Sequence, residues 1–152
     1  MYFELGVAIK REPSEVFAFL RDKDLYPQKP GSPVLALEQL TPGPPGVGTR
    51  YREVVQMLPF IRATILSTIT RFEPPYRLEE DFSGAGMRGH LAYEFVPRPG
   101  GTLLVQREKV DAVGLMRIVA PLAWRRLGPE LRERLHGIQS ELDSGWVVQV
   151  DR

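Results

Sequence analysis

Acidic side chains recur inside segments that alternate between apolar and polar residues, and they are the first candidates for chemistry. Glu53, Glu80 and Glu108 each share the apolar side of such a segment. A carboxyl group in an apolar space has a raised pKa, because burial disfavours the charged form, and it can then act as a general acid or base. Tyr93 and Glu108 are the candidate catalytic residues, because both side chains are predicted to point into this apolar space. Alternatively, the strand ends are wet or arginines pair with the acids, and these carboxylates have no catalytic role.

The same alternation assigns one face of each strand to an enclosed space, since successive side chains of a strand point to opposite faces. Taking the apolar sides inward predicts a cavity wall formed by Tyr51, Glu53, Val55, Glu80, Phe82, Leu91, Tyr93, Phe95, Leu104, Gln106 and Glu108. From the other side, a C-terminal helix is expected to contribute Met116, Leu122, Trp124 and Leu127. An apolar probe is expected to bind between these two walls.

Metal and nucleophile chemistry find little support in the sequence. His90 and His136 are far apart and lack the i, i+4 spacing of a helical metal site, and cysteine is absent. His90 also falls on the outer face of its strand, opposite Tyr93. The G-x-S-x-G motif of a nucleophilic serine does not occur. We therefore predict neither a metal nor a cofactor.

A long helix is predicted from Leu115 to Asp143. Its apolar residues follow one another mostly in steps of three and four, as a helix that buries one face requires. They are Leu115, Ile118, Val119, Leu122, Ala123, Leu127, Leu131, Leu135, Ile138 and Leu142. Because proline lacks an N–H and crowds the preceding turn, we expect a bend at Pro121 and a sharper break at Gly128–Pro129.

Strand patterns dominate the rest of the chain, with one short helix expected from Pro13 to about Asp22. The predicted strands are Tyr2 to Lys10, Pro33 to Leu40, Thr49 to Met57, Arg62 to Phe72, Tyr76 to Ser83, Arg88 to Val96 and Thr102 to Ala112. Lys23 to Ser32 is turn-like. Short turns between successive strands predict an antiparallel, strongly curved sheet, and hence an α+β fold of six to seven strands with a long C-terminal helix.

Composition narrows the class of protein. The 152 residues suit one domain, predicted over 1–145 with a tail at 146–152. Twenty basic and 19 acidic residues give a net charge of +1, too balanced to indicate a nucleic-acid partner. The sequence shows no signal peptide and no apolar run long enough to span a bilayer, so we expect a cytoplasmic protein without integral membrane association.

Four short patches resemble the START-like superfamily, also called SRPBCC or Bet v 1-like, and within it the bacterial polyketide cyclase/dehydrase group. They are Pro13-Ser14-Glu15-Val16-Phe17 with Asp24-Leu25-Tyr26-Pro27, Gly46-Val47-Gly48-Thr49-Arg50-Tyr51, Phe72-Glu73-Pro74-Pro75-Tyr76-Arg77-Leu78, and Pro99-Gly100-Gly101-Thr102. The resemblance implies a helix-grip fold, in which a curved sheet wraps a long helix around a pocket for a lipid, an isoprenoid, an aromatic or a polyketide-like molecule.

Three functions stay open at this stage, because a fold does not choose among them. The chain is a non-catalytic binding protein for a hydrophobic small molecule, or an aromatase/cyclase or dehydratase that moves protons with Tyr93 and an inward glutamate. The third possibility is an interaction module without a ligand. The sequence is compatible with a monomer or a homodimer.

Overall fold

The computed structural model describes residues 1–23, 33–58 and 60–143, with residues 57, 58, 123, 126 and 127 described by their backbone alone. The predicted tail at 146–152 and the Tyr26–Pro27 patch lie outside the described residues. In chain order the elements are β1 (Tyr2–Ile9), α1 (Pro13–Arg21), β2 (Val34–Gln39), β3 (Arg50–Leu58), β4 (Ile61–Glu73), β5 (Arg77–Gly84), β6 (Met87–Arg98), β7 (Gly101–Ala112) and α2 (Met116–Asp143).

The seven strands form one antiparallel sheet in the order β1-β7-β6-β5-β4-β3-β2. Each strand from β2 to β7 pairs with its neighbour in sequence, as short turns require, and β1 closes the row against β7. The predicted α+β fold is confirmed, and the predicted strands agree with the observed ones to within one or two residues.

The short helix α1 begins at Pro13. Proline has no N–H, and an N–H in the first turn of a helix would have no acceptor within the helix, so proline suits this position. The backbone N–H of Glu12 donates to the Glu15 carboxylate at 3.1 Å, which stabilises this start. Val16, Phe17, Phe19 and Leu20 are buried, and the ring of Phe17 packs 5.2 Å from that of Phe95 on β6. Helix α1 is therefore fixed across one end of the concave face of the sheet.

The second half of α2 closes the same face. Leu131, Leu135, Ile138 and Leu142 are buried. The helix end is held where β1 leads into α1, since the Lys10 N–H donates to Asp143 at 2.8 Å and Arg11 donates to the Leu142 carbonyl at 2.9 Å. This half of the helix therefore forms part of the hydrophobic core.

The first half of α2 departs from the prediction. Leu115, Ile118, Val119 and Leu122 are exposed, so they do not join the buried stripe, and the expectation that Leu122 faces the sheet is wrong. Ala120 on the opposite side is buried. The predicted break at Gly128–Pro129 is also wrong, because the helix is continuous from Met116 to Asp143.

The spacing of the apolar residues explains the error. Leu122 and Leu131 are nine residues apart, and an α-helix turns by about 100° per residue, so Leu131 lies about 180° around the axis from Leu122. The exposed set that ends at Leu122 and the buried set that begins at Leu131 therefore lie on different faces. Only the later set, from Leu131 onward, meets the core.

The strand register defines two ends of the sheet. At one end β7 leads into α2, the β5–β6 turn lies beside it because Met87 pairs with Ala112, and the β3–β4 turn projects in the same direction. We call this the α2-start end. At the other end lie α1, the β4–β5 and β6–β7 turns and the loop that precedes β3.

Candidate functional site

A buried lysine organises the concave face near β3 and β5. Lys23 lies just beyond the end of α1 and is only 5% exposed. Its ammonium group donates to Glu53 at 3.1 Å, forms a very short contact with Glu80, and lies 4.9 Å from the centre of the Tyr51 ring. Burial by itself would lower the pKa of Lys23, but the charges and hydrogen bonds of Glu80 and Glu53 raise it above its ordinary value.

Glu53 and Glu80, two of the predicted acid–base candidates, are partners in buried ion pairs. The carboxylates of Glu53 and Glu80 face inward, but each is ion-paired with Lys23. The sequence allows the alternative that arginines pair with these acids and leave them without a catalytic role. The observed pairing is of this kind, but the cation is a lysine. Sequence reasoning missed Lys23, which was assigned to a turn, because its partners lie 30 and 57 residues away in the chain.

A second polar cluster lies on β6 and β7. Tyr93 and Gln106 are direct cross-strand partners, and the Gln106 amide donates to the Glu108 carboxylate at 3.0 Å. Within the described part of the chain, the buried Tyr93 hydroxyl and the buried Gln106 side-chain carbonyl oxygen have no hydrogen-bond partner. A buried polar atom without a partner is destabilising by about 1–3 kcal/mol, so this pair favours a bound polar group.

The electrostatic environment of this cluster comes from several elements. Burial raises the pKa of the Tyr93 hydroxyl, Arg134 of α2 lowers it, and the negative charges of Glu80 and Glu108 raise it further. Burial likewise raises the pKa of Glu108, against the opposing influence of Arg134 and of the Gln106 hydrogen bond. Tyr93 therefore keeps its hydroxyl proton, which it can donate to a hydrogen bond, and Glu108 is a weaker acid than an exposed glutamate.

Apolar residues surround the second cluster. Leu91, Phe95 and Leu104 are buried on the same face of the sheet, and Phe82 is partly buried. The Phe82 ring lies over Gly89, where an added Cβ would come within 2.5 Å of the ring. Glycine at this position therefore lets an aromatic ring cover the sheet between Tyr93 and the β5–β6 turn.

The remaining predicted site residues lie nearer the margins. Val55, Met116 and Trp124 are partly buried, and the side chain of Leu127 lies outside the described residues. His90 is on the outer face, where its ring contacts Asp81 at 2.7 Å and Glu79 at 3.3 Å. Among the described residues, no group of three or more histidine or acidic side chains is placed to hold a metal ion.

A cavity of about 350 Å³ lies beside the Lys23 cluster. Its lining comes from the end of α1, from β2 and β3 and from the loop between them: Arg21, Asp22, Lys23, Leu37, Gln39, Pro45 and Tyr51. Only Tyr51 among these was predicted from sequence. Gln39 is a further lining residue that the sequence does not predict. Its side-chain amide donates to the Thr41 carbonyl at 2.6 Å and to the Gly43 carbonyl at 2.7 Å, and these bonds fix the loop before β3.

None of the helices in the described part of the chain is long and apolar enough to cross a membrane. Chemically, the concave face offers an apolar wall with one satisfied ion cluster and one incomplete set of hydrogen-bonding groups. No described hydrogen bond joins Tyr93 to Glu108, so these two residues do not form a preassembled proton relay.

Solved structures with the same fold come from several sources. A protein from Thermus thermophilus, TTHA0849, is 17% identical, with a TM-score of 0.74 over 97% of this chain and 100% of that one. A START superfamily protein from Mycobacterium smegmatis is 14% identical, with a TM-score of 0.75 over 94% and 97% of the two chains. Ara h 8.0201, a Bet v 1 protein, is 14% identical, with a TM-score of 0.73 over 95% and 99%. At these identities the likeness shows the fold.

The sequence itself gives the family. None of the curated proteins matches the chain. A family model described as polyketide cyclase / dehydrase and lipid transport matches residues 3–143, which is nearly the whole chain and includes every described strand and helix except the first residue of β1. The resemblance seen in the four sequence patches is thereby confirmed, and the chain belongs to the polyketide cyclase/dehydrase and lipid transport family.

Proposed function

We propose that the protein binds a hydrophobic small molecule carrying a polar group, between the concave face of the sheet and the first half of α2. The two ends of this face differ in how well their side chains are shielded from solvent. Leu131, Leu135 and Leu142 of α2 are buried at one end, whereas Phe82, Glu108, Met116 and Trp124 stay partly exposed toward the α2-start end. An apolar wall that is incompletely covered is a common form of ligand site.

The observation that carries the proposal is the pair of unpartnered polar atoms inside this apolar wall. The Tyr93 hydroxyl can donate a hydrogen bond and the Gln106 carbonyl oxygen can accept one. A ligand hydroxyl satisfies both at once, because it accepts from Tyr93 and donates to Gln106. The ligand class is therefore a lipid, isoprenoid, aromatic or polyketide-like molecule with a hydroxyl group, and the family description, which includes lipid transport, supports it.

Binding of naphthalene and of 2-naphthol, measured by displacement of a fluorescent apolar probe, tests this proposal. The parent protein is expected to prefer 2-naphthol by about thirtyfold, the value of two net hydrogen bonds of about 1 kcal/mol each. Tyr93→Phe keeps the ring but removes the hydroxyl, so it is expected to reduce the preference to about fivefold, the value of the remaining Gln106 hydrogen bond, and to leave naphthalene binding intact. Native mass spectrometry of freshly purified protein would give the mass of any retained ligand.

His90→Ala is the matched control, since His90 lies on the opposite face of the same strand, where it contacts Asp81. It is expected to leave both affinities unchanged. If His90→Ala abolishes probe binding while Tyr93→Phe does nothing, the ligand contacts the outer face and the proposal is wrong. If no apolar probe binds the parent at all, a ligand-free interaction module becomes the better description.

An enzyme of the aromatase/cyclase or dehydratase type is the second candidate, and the environment of Glu108 favours it. Its pKa is raised by burial, and its charge acts on the Tyr93 hydroxyl. An acid whose pKa is raised by burial can act as a general acid or base toward a substrate bound beside Tyr93. Glu108→Gln distinguishes the two functions, because it retains a hydrogen-bonding side chain and should spare binding, whereas it would abolish turnover of a polyketide-like substrate.

A further inference from the structure

Four large apolar side chains form an exposed stripe at the start of α2. Leu115 is 84%, Ile118 78%, Val119 50% and Leu122 74% exposed. Their i, i+3, i+4, i+7 spacing places them on one side of the helix, opposite the buried Ala120. We call this set the outer stripe. Single exposed apolar residues are ordinary on a protein surface, but a continuous stripe of this kind indicates an interaction surface.

The charged residues in the segment that carries the outer stripe, from Ala112 to Pro129, are all positive. From Ala112 to Pro129 the sequence contains no aspartate or glutamate, but it contains Arg117, Arg125 and Arg126. Arg117 and Arg125 are exposed. The first turn of α2 has no acidic residue, so the partial positive charge of the helix N-terminus adds to that of the arginines. A negatively charged partner is therefore complementary to this surface.

A further apolar group lies at the same end of the molecule. The β3–β4 turn projects toward the α2-start end, and it carries Phe60, which is 99% exposed, followed by the half-exposed Ile61. Val113, in the link between β7 and α2, is also exposed. The α2-start end thus presents apolar side chains from two separate parts of the chain.

We propose that the α2-start end binds the surface of an anionic lipid bilayer, with the outer stripe inserted at the boundary between headgroups and acyl chains. An amphipathic helix with apolar side chains on one face and arginines beside them binds membranes in this manner. Two copies of the chain meeting through this stripe would bring Arg117 and Arg125 of each copy together, and no acidic residue between Ala112 and Pro129 would offset their charge. The charge pattern therefore favours an anionic lipid surface over a second copy.

Co-sedimentation with lipid vesicles tests this inference. The protein is expected to bind vesicles of phosphatidylcholine mixed with phosphatidylglycerol, to bind vesicles of phosphatidylcholine alone far more weakly, and to be released by added salt. Leu115→Ser/Ile118→Ser/Leu122→Ser is expected to weaken binding by at least about tenfold, because apolar insertion is lost. Arg117→Gln/Arg125→Gln is expected to remove the preference for the anionic lipid.

Matched controls come from the opposite end of the sheet. Val47 is 70% exposed in the loop before β3, and Arg50 and Arg98 are exposed at that end. Val47→Ser and Arg50→Gln/Arg98→Gln should leave vesicle binding unchanged. Circular dichroism of each variant checks that it is folded, and naphthalene binding in the triple variant should equal that of the parent, because the outer stripe faces away from the sheet.

Two results would overturn the inference. The first is equal vesicle binding by the parent and the triple serine variant, or no binding by either. The second is a concentration-dependent dimer in sedimentation equilibrium that the triple variant loses while vesicles bind neither protein, which would assign the outer stripe to an interface between copies. Failure of this test would leave the proposed ligand binding unaffected, since that rests on Tyr93 and Gln106.

Discussion

Replacing Lys23 by methionine is expected to remove much of the stability of the fold. Methionine preserves most of the apolar stem of the side chain but not the ammonium group that pairs with Glu53 and Glu80. Lys23 is buried, and the two carboxylates are largely shielded from water. Removing one partner of a buried ion pair is destabilising by about 3–5 kcal/mol, because it leaves the other charge buried and unpaired. Domains are stable by only about 5–15 kcal/mol in total.

Urea unfolding followed by circular dichroism measures this loss. With a denaturant dependence of about 2 kcal/mol per molar urea, Lys23→Met should lower the midpoint by roughly 1.5–2.5 M. Adding Glu53→Gln and Glu80→Gln to the same variant replaces the ion cluster by neutral groups, so this triple variant should recover at least half of the lost free energy of unfolding.

The exposed pair between Arg52 and Glu38 is the matched control, since its 2.9 Å contact is as short as many buried ion pairs but both side chains are at least half exposed. Arg52→Gln should change the free energy of unfolding by no more than about 1 kcal/mol. If Lys23→Met is as mild as Arg52→Gln, the Lys23 cluster is solvated and its description as a buried ion cluster is refuted.

Two further experiments test Glu108 and the two faces of α2. Burial raises the pKa of Glu108 above its ordinary 4.5, so the folded state retains a proton that the unfolded state has lost, and the parent should lose stability as pH rises from 4.5 through the raised pKa. Glu108→Gln should flatten this dependence in urea titrations from about pH 4 to about pH 8, and an unchanged slope would show that Glu108 titrates normally. Leu131→Asp should lower the free energy of unfolding by about 3–5 kcal/mol, because it buries an unpaired charge, whereas Leu122→Asp on the exposed side of α2 should change it by about 0.5 kcal/mol or less. Similar melting temperatures for the two variants would contradict the two-faced description of the helix.

The strands and their faces were predictable because the information is local. Side chains alternate with a period of two along a strand, so the apolar residues of β6 and β7 reveal which face is buried, and Tyr93 and Gln106 fall on it. The turns at Gly84–Gly86 and Gly100–Gly101 then fix the pairing of neighbouring strands. The consecutive pairing of β2 to β7 therefore follows from short-range patterns, whereas the pairing of β1 with β7 joins segments about 100 residues apart.

The long helix was harder to predict because helical periodicity tolerates an irregular step. A mixture of three- and four-residue steps keeps a stripe on one face, but the one-residue step from Leu122 to Ala123 and the two four-residue steps that follow it turn the stripe by about 180° at Leu131. The ten apolar residues from Leu115 to Leu142 therefore form two stripes on different faces of α2 and not one. The helical angle of each residue, rather than its spacing alone, would have separated the exposed set from the buried set.

The site was only partly predictable, since its key polar contacts depend on residues distant in sequence. Lys23 pairs with Glu53 and Glu80 across three separate elements, and Arg134 of α2 acts on Tyr93 and Glu108 of the sheet. A sequence pattern reports that a carboxylate faces inward. It does not report which cation reaches that carboxylate, and that partner decides whether the acid is a structural ion pair or a group available for chemistry.

The two polar clusters of the concave face have opposite consequences for function. Around Lys23, buried charges satisfy one another, so a molecule in the adjoining cavity would gain no unpaired charge from this cluster. Around Tyr93, polar atoms within the described part of the chain lack partners, so a ligand that supplies a hydroxyl gains hydrogen bonds without displacing any. The polar end of a bound molecule is therefore expected at Tyr93 and Gln106. Its apolar body would then extend past Phe82 toward the α2-start end, where the concave face is least covered.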